Sequence, residues 1–149
     1  MKTKKQDYSH LSPSQPIGIF DSGVGGLTVA KEIKRLLPHE DLIYFGDTKH
    51  LPYGEKSKDA IIEYSTKITN FLLQQNCKAI VIACNTATAY GIEDIRGALK
   101  TWGIDVPVIG VVEAGARAVV EQLPKEGQAP TVGVLATVGT CSSDAYPKA

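Results

Sequence analysis

The sequence predicts an α/β fold built on a parallel sheet. Short β-branched runs alternate with longer stretches whose apolar residues recur at helical spacing, the order expected when each strand is followed by a helix that packs back on the sheet. Pro38, Gly103 with Pro107, and the run from Pro124 to Pro130 punctuate the helix ends, as residues that stop helices should. Polar, glycine-bearing segments follow the strands, and the carboxyl ends of parallel strands are where such sheets gather their ligands.

In chain order, residues 1–16 are polar, carry Lys2, Lys4 and Lys5, and contain no apolar run. They read as a disordered tail and not as the hydrophobic region of a secretory signal. The expected strands are Ile17 to Asp21, Leu42 to Gly46, Ala79 to Cys84, Val108 to Val112 and Val132 to Ala136. Between them, Val29, Ile33 and Leu36 mark one helix, and Ile61, Tyr64, Ile68 and Phe71 a second. Ile92, Ile95, Leu99 and Trp102 mark a third, and Ala116, Val119 and Leu123 a fourth, each stripe packing one helix face onto the sheet. A further helix is expected to start in Ser142 to Ala149, so the chain reads as a fragment of a longer protein.

A chain of 149 residues can bury about 70% of its unfolded surface, enough for one domain with a real core. Lysine plus arginine and aspartate plus glutamate stand at 16 each, so no global field draws the chain to nucleic acid or an anionic membrane. An anionic ligand must be held by local geometry. The longest purely apolar stretch, Ala79 to Cys84, is far short of the roughly 20 residues that span a bilayer, which leads to a soluble protein as the expectation. Cys77, Cys84 and Cys141 form an odd set without CxxC spacing, which argues against a disulfide framework or a structural zinc site and fits a reducing cytoplasm. His10, His39 and His50 show no ligand pattern, so no metal site is expected.

Four motifs sit at expected strand ends. Asp21-Ser22-Gly23-Val24-Gly25-Gly26 lies between a strand and a helix, where glycines let backbone amides approach an anion closely. Its spacing is not that of a dinucleotide fingerprint, and a plain βα turn with Asp21 or Ser22 as helix cap is the competing reading. The loop from Gly46-Asp47 to Pro52-Tyr53-Gly54 follows the second strand and would, by itself, pass for a surface turn.

Ala83-Cys84-Asn85-Thr86-Ala87 is the most informative spot. A thiol where a strand ends and a helix begins lies beside unpaired helix amides, whose dipole stabilises a thiolate. Asn85 and Thr86 can cap the same helix or hold a substrate carboxylate. The competing reading is an inert cysteine packed at a strand end. Ala136-Thr137-Val138-Gly139-Thr140 repeats the strand, hydroxyl and helix-start pattern, although hydroxyls there are more often simple caps. Cys77 falls at the opposite end of the sheet and reads as structural, and nothing in the sequence places Cys141 across a substrate from Cys84.

Five segments in fixed order, IGIFDSGVGGLTV, YFGDTKHLPYGEKS, IVIACNTATA, PVIGVVEAGARA and GVLATVGT, make the chain resemble the glutamate racemases of the aspartate/glutamate racemase superfamily. The match runs from about Ile17 to Tyr146. The resemblance implies two α/β domains facing each other across a glutamate, which lies between two cysteines. One thiolate removes the α-proton while the other thiol delivers a proton to the opposite face. It implies Cys84 and Asp21 as catalytic residues, with substrate contacts at Asp21, Ser22, Tyr53, Gly54, Asn85, Thr86 and Thr140. Residues 17–112 would form the first domain, and residues 113–149 the crossover, near Glu113 to Gly115, and the start of the second. The second cysteine of the family, usually followed by threonine and histidine, has no counterpart in this chain, and Cys141 stands in a different motif.

The expected activity is interconversion of L- and D-glutamate, supplying peptidoglycan synthesis, in a cytoplasmic protein that is a homodimer when full length. No cofactor is expected, because no lysine stands at the ligand-facing strand ends for a pyridoxal Schiff base. An aspartate or other amino-acid racemase, and a non-catalytic domain that binds acidic ligands, are the alternatives.

Overall fold

The computed structural model describes residues 12–124 and 130–149. Four parallel strands, β1 (Ile17–Asp21), β2 (Leu42–Gly46), β3 (Ala79–Ile82) and β4 (Val108–Gly110), form a sheet in the order β2-β1-β3-β4. Helices α1 (Leu27–Leu36), α2 (Lys58–Gln74), α3 (Asn85–Trp102) and α4 (Val111–Gln122) follow the strands in turn. Two short helices, α5 (Val138–Ser142) and α6 (Ala145–Lys148), end the chain.

Strand alternation sends side chains to two faces. Phe20, Ile80, Ile82 and Val108 pack with Ile61, Leu72, Ile95 and Leu99 of α2 and α3, while Ile17, Ile19, Val81 and Ala83 meet Val29, Ala30 and Ile33 of α1. Each large side chain buried this way stabilises the fold by about 1.5–3 kcal/mol relative to exposure. The helical stripes hold in part: Leu36 is 65% exposed and Trp102 45%, so the ends of the first and third stripes run past the sheet they were expected to cover, and of α4 only Val112 is buried.

Three expectations need correction. Val132 to Ala136 is not a strand; the segment is irregular and exposed, with Leu135 fully so. β-propensity measures fit to a pleated neighbour, and among the described residues this segment pairs with no strand. The third and fourth strands also stop short, because Cys84 leaves the ladder to cap α3 and Val111 and Val112 already belong to α4. Of the tail, residues 1–11 lie outside the described residues, as does His10, whereas 12–16 are anchored. Gln15 N–H donates to the Ser12 carbonyl (3.0 Å) and Lys78 N–H to that of Pro16 (2.9 Å), extending the pairing of β1 and β3 backward. Among the described residues no helix is long and apolar enough to cross a membrane.

Candidate active site

From β1 the chain passes to β2 on one side and, later, to β3 on the other. The carboxyl ends of β1 and β3 therefore flank the point where strand order reverses, where connections diverge and leave a crevice. Asp21 ends β1 and Cys84 follows β3 at this place. A cavity of about 590 Å³ opens there, lined by Asp21 to Gly26 with Thr28 and Val29, Leu51 to Gly54, Ala83 to Thr86, Val111 and Thr137.

Asp21 is buried, and its Oδ2 accepts the backbone N–H groups of Gly23 (3.1 Å) and Gly26 (3.0 Å). The carboxylate thus ties the loop to the start of α1, but neither Asp21 nor Ser22 is the helix cap: the N-cap is Gly26, which makes no side-chain capping bond. A glycine is required at position 26: a Cβ there would lie 2.7 Å from the Cβ of Asp21 and 2.8 Å from that of Ala83. The Tyr44 hydroxyl donates to the Gly23 carbonyl (3.0 Å). Burial, reinforced by the nearby negative charge of Asp21, pushes the Tyr44 phenol up to about 12.

Cys84 is itself the N-cap of α3, and its Sγ accepts the Ala87 N–H at 3.4 Å. The sulfur therefore sits on the positive end of an 18-residue helix, where a thiolate gains from unpaired amides and the dipole. The thiol also reaches the Ser22 Oγ at 3.6 Å, bridging the two loops of the crevice. Asn85 is exposed at the rim, and its Oδ1 accepts the Tyr146 hydroxyl at 2.7 Å. That bond occupies the amide oxygen and leaves the amide N–H groups as the free donors.

Thr86 is buried and shares hydroxyl hydrogen bonds with Thr137 (2.9 Å) and Thr140 (3.2 Å), which themselves are 3.0 Å apart. Thr137, the N-cap of α5, lines the cavity, whereas Thr140 stands behind it. Sequence reasoning singled out Thr140; the signal for Thr137 was its place just before a helix start. Tyr53 is buried against the cavity in a 3-10 turn, Tyr53–Glu55, and its hydroxyl donates to Asp47 Oδ2 at 2.7 Å. Burial first, then this bond, holds its phenol well above the usual tyrosine range. Gly54 admits Thr137, whose Cγ2 would be 2.8 Å from a Cβ there.

Of the expected residues, Asp21, Ser22, Tyr53, Gly54, Cys84, Asn85 and Thr86 share one cavity wall. Asp47, which sequence reasoning left in a turn, supports that wall. Cys77 is fully buried at the other end of β3, and burial pushes its thiol up to about 11. Cys141 is exposed and is not part of the cavity wall. A thiol, a carboxylate and the N-terminus of a long helix around one crevice can hold an anionic molecule beside a group able to exchange a proton.

The model of the family described as Asp/Glu/hydantoin racemase matches residues 17–149. The glutamate racemase of Geobacter metallireducens is 49% identical over 137 residues, which cover 92% of this chain and 47% of that protein. The fold is similar to glutamate racemase from Thermus thermophilus in complex with β-chloro-D-alanine, with a TM-score of 0.78 and 46% identity over 92% of this chain and 49% of that one. It is equally similar to the Francisella tularensis glutamate racemase in complex with D-glutamate, with a TM-score of 0.78 and 42% identity over 91% of this chain and 47% of that one. The chain spans about half the length of the relatives it matches.

Proposed function

Because this chain belongs to the Asp/Glu/hydantoin racemase family, we propose that it forms the Cys84-bearing part of a glutamate racemase, which interconverts L- and D-glutamate. The observation that carries the reading is the place of Cys84: its sulfur caps α3, contacts Ser22 and shares a cavity with Asp21. In this reading the Cys84 thiolate removes the α-proton from one enantiomer or its thiol returns a proton to form it. Asp21 faces the substrate ammonium. Ser22, Tyr53, Gly54, Asn85, Thr86 and Thr140 bind or back the carboxylates, with donors supplied by the α3 amides and the Asn85 amide.

Racemisation requires a second acid on the far face of the α-carbon. We assign that group to the part of the family's length that this chain does not span. Residues 17–112 form the first domain of this arrangement and residues 113–149 the crossover, along α4, and the start of the second. The whole protein, in the same reading, is a cytoplasmic homodimer that works without a cofactor and supplies D-glutamate to peptidoglycan synthesis.

The test follows α-proton exchange and D-glutamate formation from L-glutamate in deuterated water, using the product of the complete gene, with L-aspartate as comparator. Glutamate exchange well above that of aspartate, lost on Cys84→Ser, is expected. Faster exchange of aspartate would reassign the substrate, and no exchange of either would leave a ligand-binding domain.

A further inference from the structure

Asp47 is a buried carboxylate that the proton transfers do not use, and it joins three parts of the site's support: Tyr53, His50 and the end of β1. Its Oδ2 accepts the Tyr53 hydroxyl at 2.7 Å. His50 Nδ1 lies 2.8 and 2.9 Å from its two oxygens, which fixes the N–H on that nitrogen because a carboxylate only accepts. The His50 ring stacks on Tyr64 of α2 with centroids 4.1 Å apart. The Asp47 backbone N–H donates to the Asp21 carbonyl at 2.9 Å, continuing the β1–β2 ladder one residue past its end. Asp47 is absent from the wall of the Cys84 cavity, whereas Tyr53 is part of it.

The Tyr53 hydroxyl therefore spends its proton inside the protein, on a group behind the wall. What Tyr53 offers the cavity is its ring and backbone, held at a fixed depth by the bond at the ring's far end. Resting on the racemase reading above, we propose that Asp47 is a positioning residue: by clamping Tyr53 to the Asp21 end of β1, it sets the part of the cavity lining that Tyr53 forms and thereby the affinity for glutamate. A carboxylate suits this task better than a neutral side chain. It accepts from both donors at once with charge-assisted bonds, about twice as strong as neutral ones.

The experiment uses the product of the complete gene with Asp47→Ala, Asp47→Asn, Tyr53→Phe and the double variant Asp47→Ala/Tyr53→Phe. Loss of positioning raises KM for glutamate by about tenfold in Asp47→Ala with kcat within about threefold of wild type. Adding Tyr53→Phe to Asp47→Ala costs nothing more, because the two side chains act through one bond. Asp47→Asn, which keeps an acceptor oxygen, recovers most of the loss. An unchanged KM, or a loss confined to kcat, overturns the inference.

Spectrophotometric titration reads the same bond without glutamate and guards against an Asp47→Ala chain that does not fold. The phenolate signal missing from Tyr53→Phe is assigned to Tyr53, and it should emerge at lower pH in Asp47→Asn than in wild type. An unmoved signal overturns the inference. Wild-type protein that does not turn over glutamate removes the racemase reading alone, and this titration then decides on Asp47 by itself.

Discussion

The Sγ of Cys84 lies 3.6 Å from the Oγ of Ser22, although 62 residues separate them in the chain. The contact joins the loop after β1 to the loop after β3 across the point where strand order reverses, so the glycine-rich loop and the thiol act on the same space. With Ala87 N–H also on the sulfur, Cys84 is held by one bond from each side of the crevice.

Cys84→Ser in the complete gene product should lower glutamate racemisation by about 10²–10⁴-fold, the usual worth of a positioned acid or base. An alcohol holds its proton far more tightly than a thiol, while the hydroxyl can still cap α3, so thermal stability should stay near wild type. Turnover near wild type in a folded variant would remove Cys84 from the proton path.

Gly26→Ala should destabilise the fold by about 1–3 kcal/mol, as overpacking does. The new methyl would meet the Cβ atoms of Asp21 and Ala83, neither of which can swing away. Thermal melts check this, and unchanged melting would mean that the loop shifts freely.

Cys77 gives a pH signature. Its thiol is shifted from 9.0 to about 11 by burial, so the folded state favours the protonated form. That stability is fully present below pH 9 and is lost as the unfolded chain, and then the folded one, ionises on the way to pH 11. Denaturant midpoints should fall across this window in wild type and fall less in Cys77→Ala, which carries instead a pH-independent cost of about 1 kcal/mol for the lost buried group. Equal slopes in the two proteins would contradict the assignment.

Tyr146→Phe should weaken glutamate binding by about three- to tenfold, the worth of one hydrogen bond near 1 kcal/mol. The lost bond frees the Asn85 amide to turn its oxygen toward an anion. Competition binding with D-glutamate reads this, and stability should move by less than about 0.5 kcal/mol for a site this exposed.

The 149-residue chain by itself should not form D-glutamate at a useful rate. Cys141, the remaining exposed thiol, directs its Sγ at the Ala136 carbonyl (3.8 Å) and lies outside the cavity wall. Product formed by this chain and abolished by Cys141→Ala would make Cys141 the second base.

The sequence by itself determined the order of the four strands and the helices between them, because the short apolar, β-branched runs at β1 to β4 and the helical spacing of residues such as Ile61, Ile68, Ile95 and Leu99 are local features of the chain. It also determined which motifs meet, since every parallel strand delivers its following loop to the same end of the sheet. Asp21, Tyr53 and Cys84 could therefore be grouped before any coordinates. What only the tertiary structure decided depends on partners distant in the chain. Val132 to Ala136 has strand composition but no neighbour to pair with among the described residues. Thr137 and not Thr140 reaches the cavity because α5 docks its N-terminus against Thr86 and Gly54. Asp47 reads as a turn residue until the fold brings the Tyr53 hydroxyl to it, and buried hydrogen bonds of that kind leave no period in the sequence.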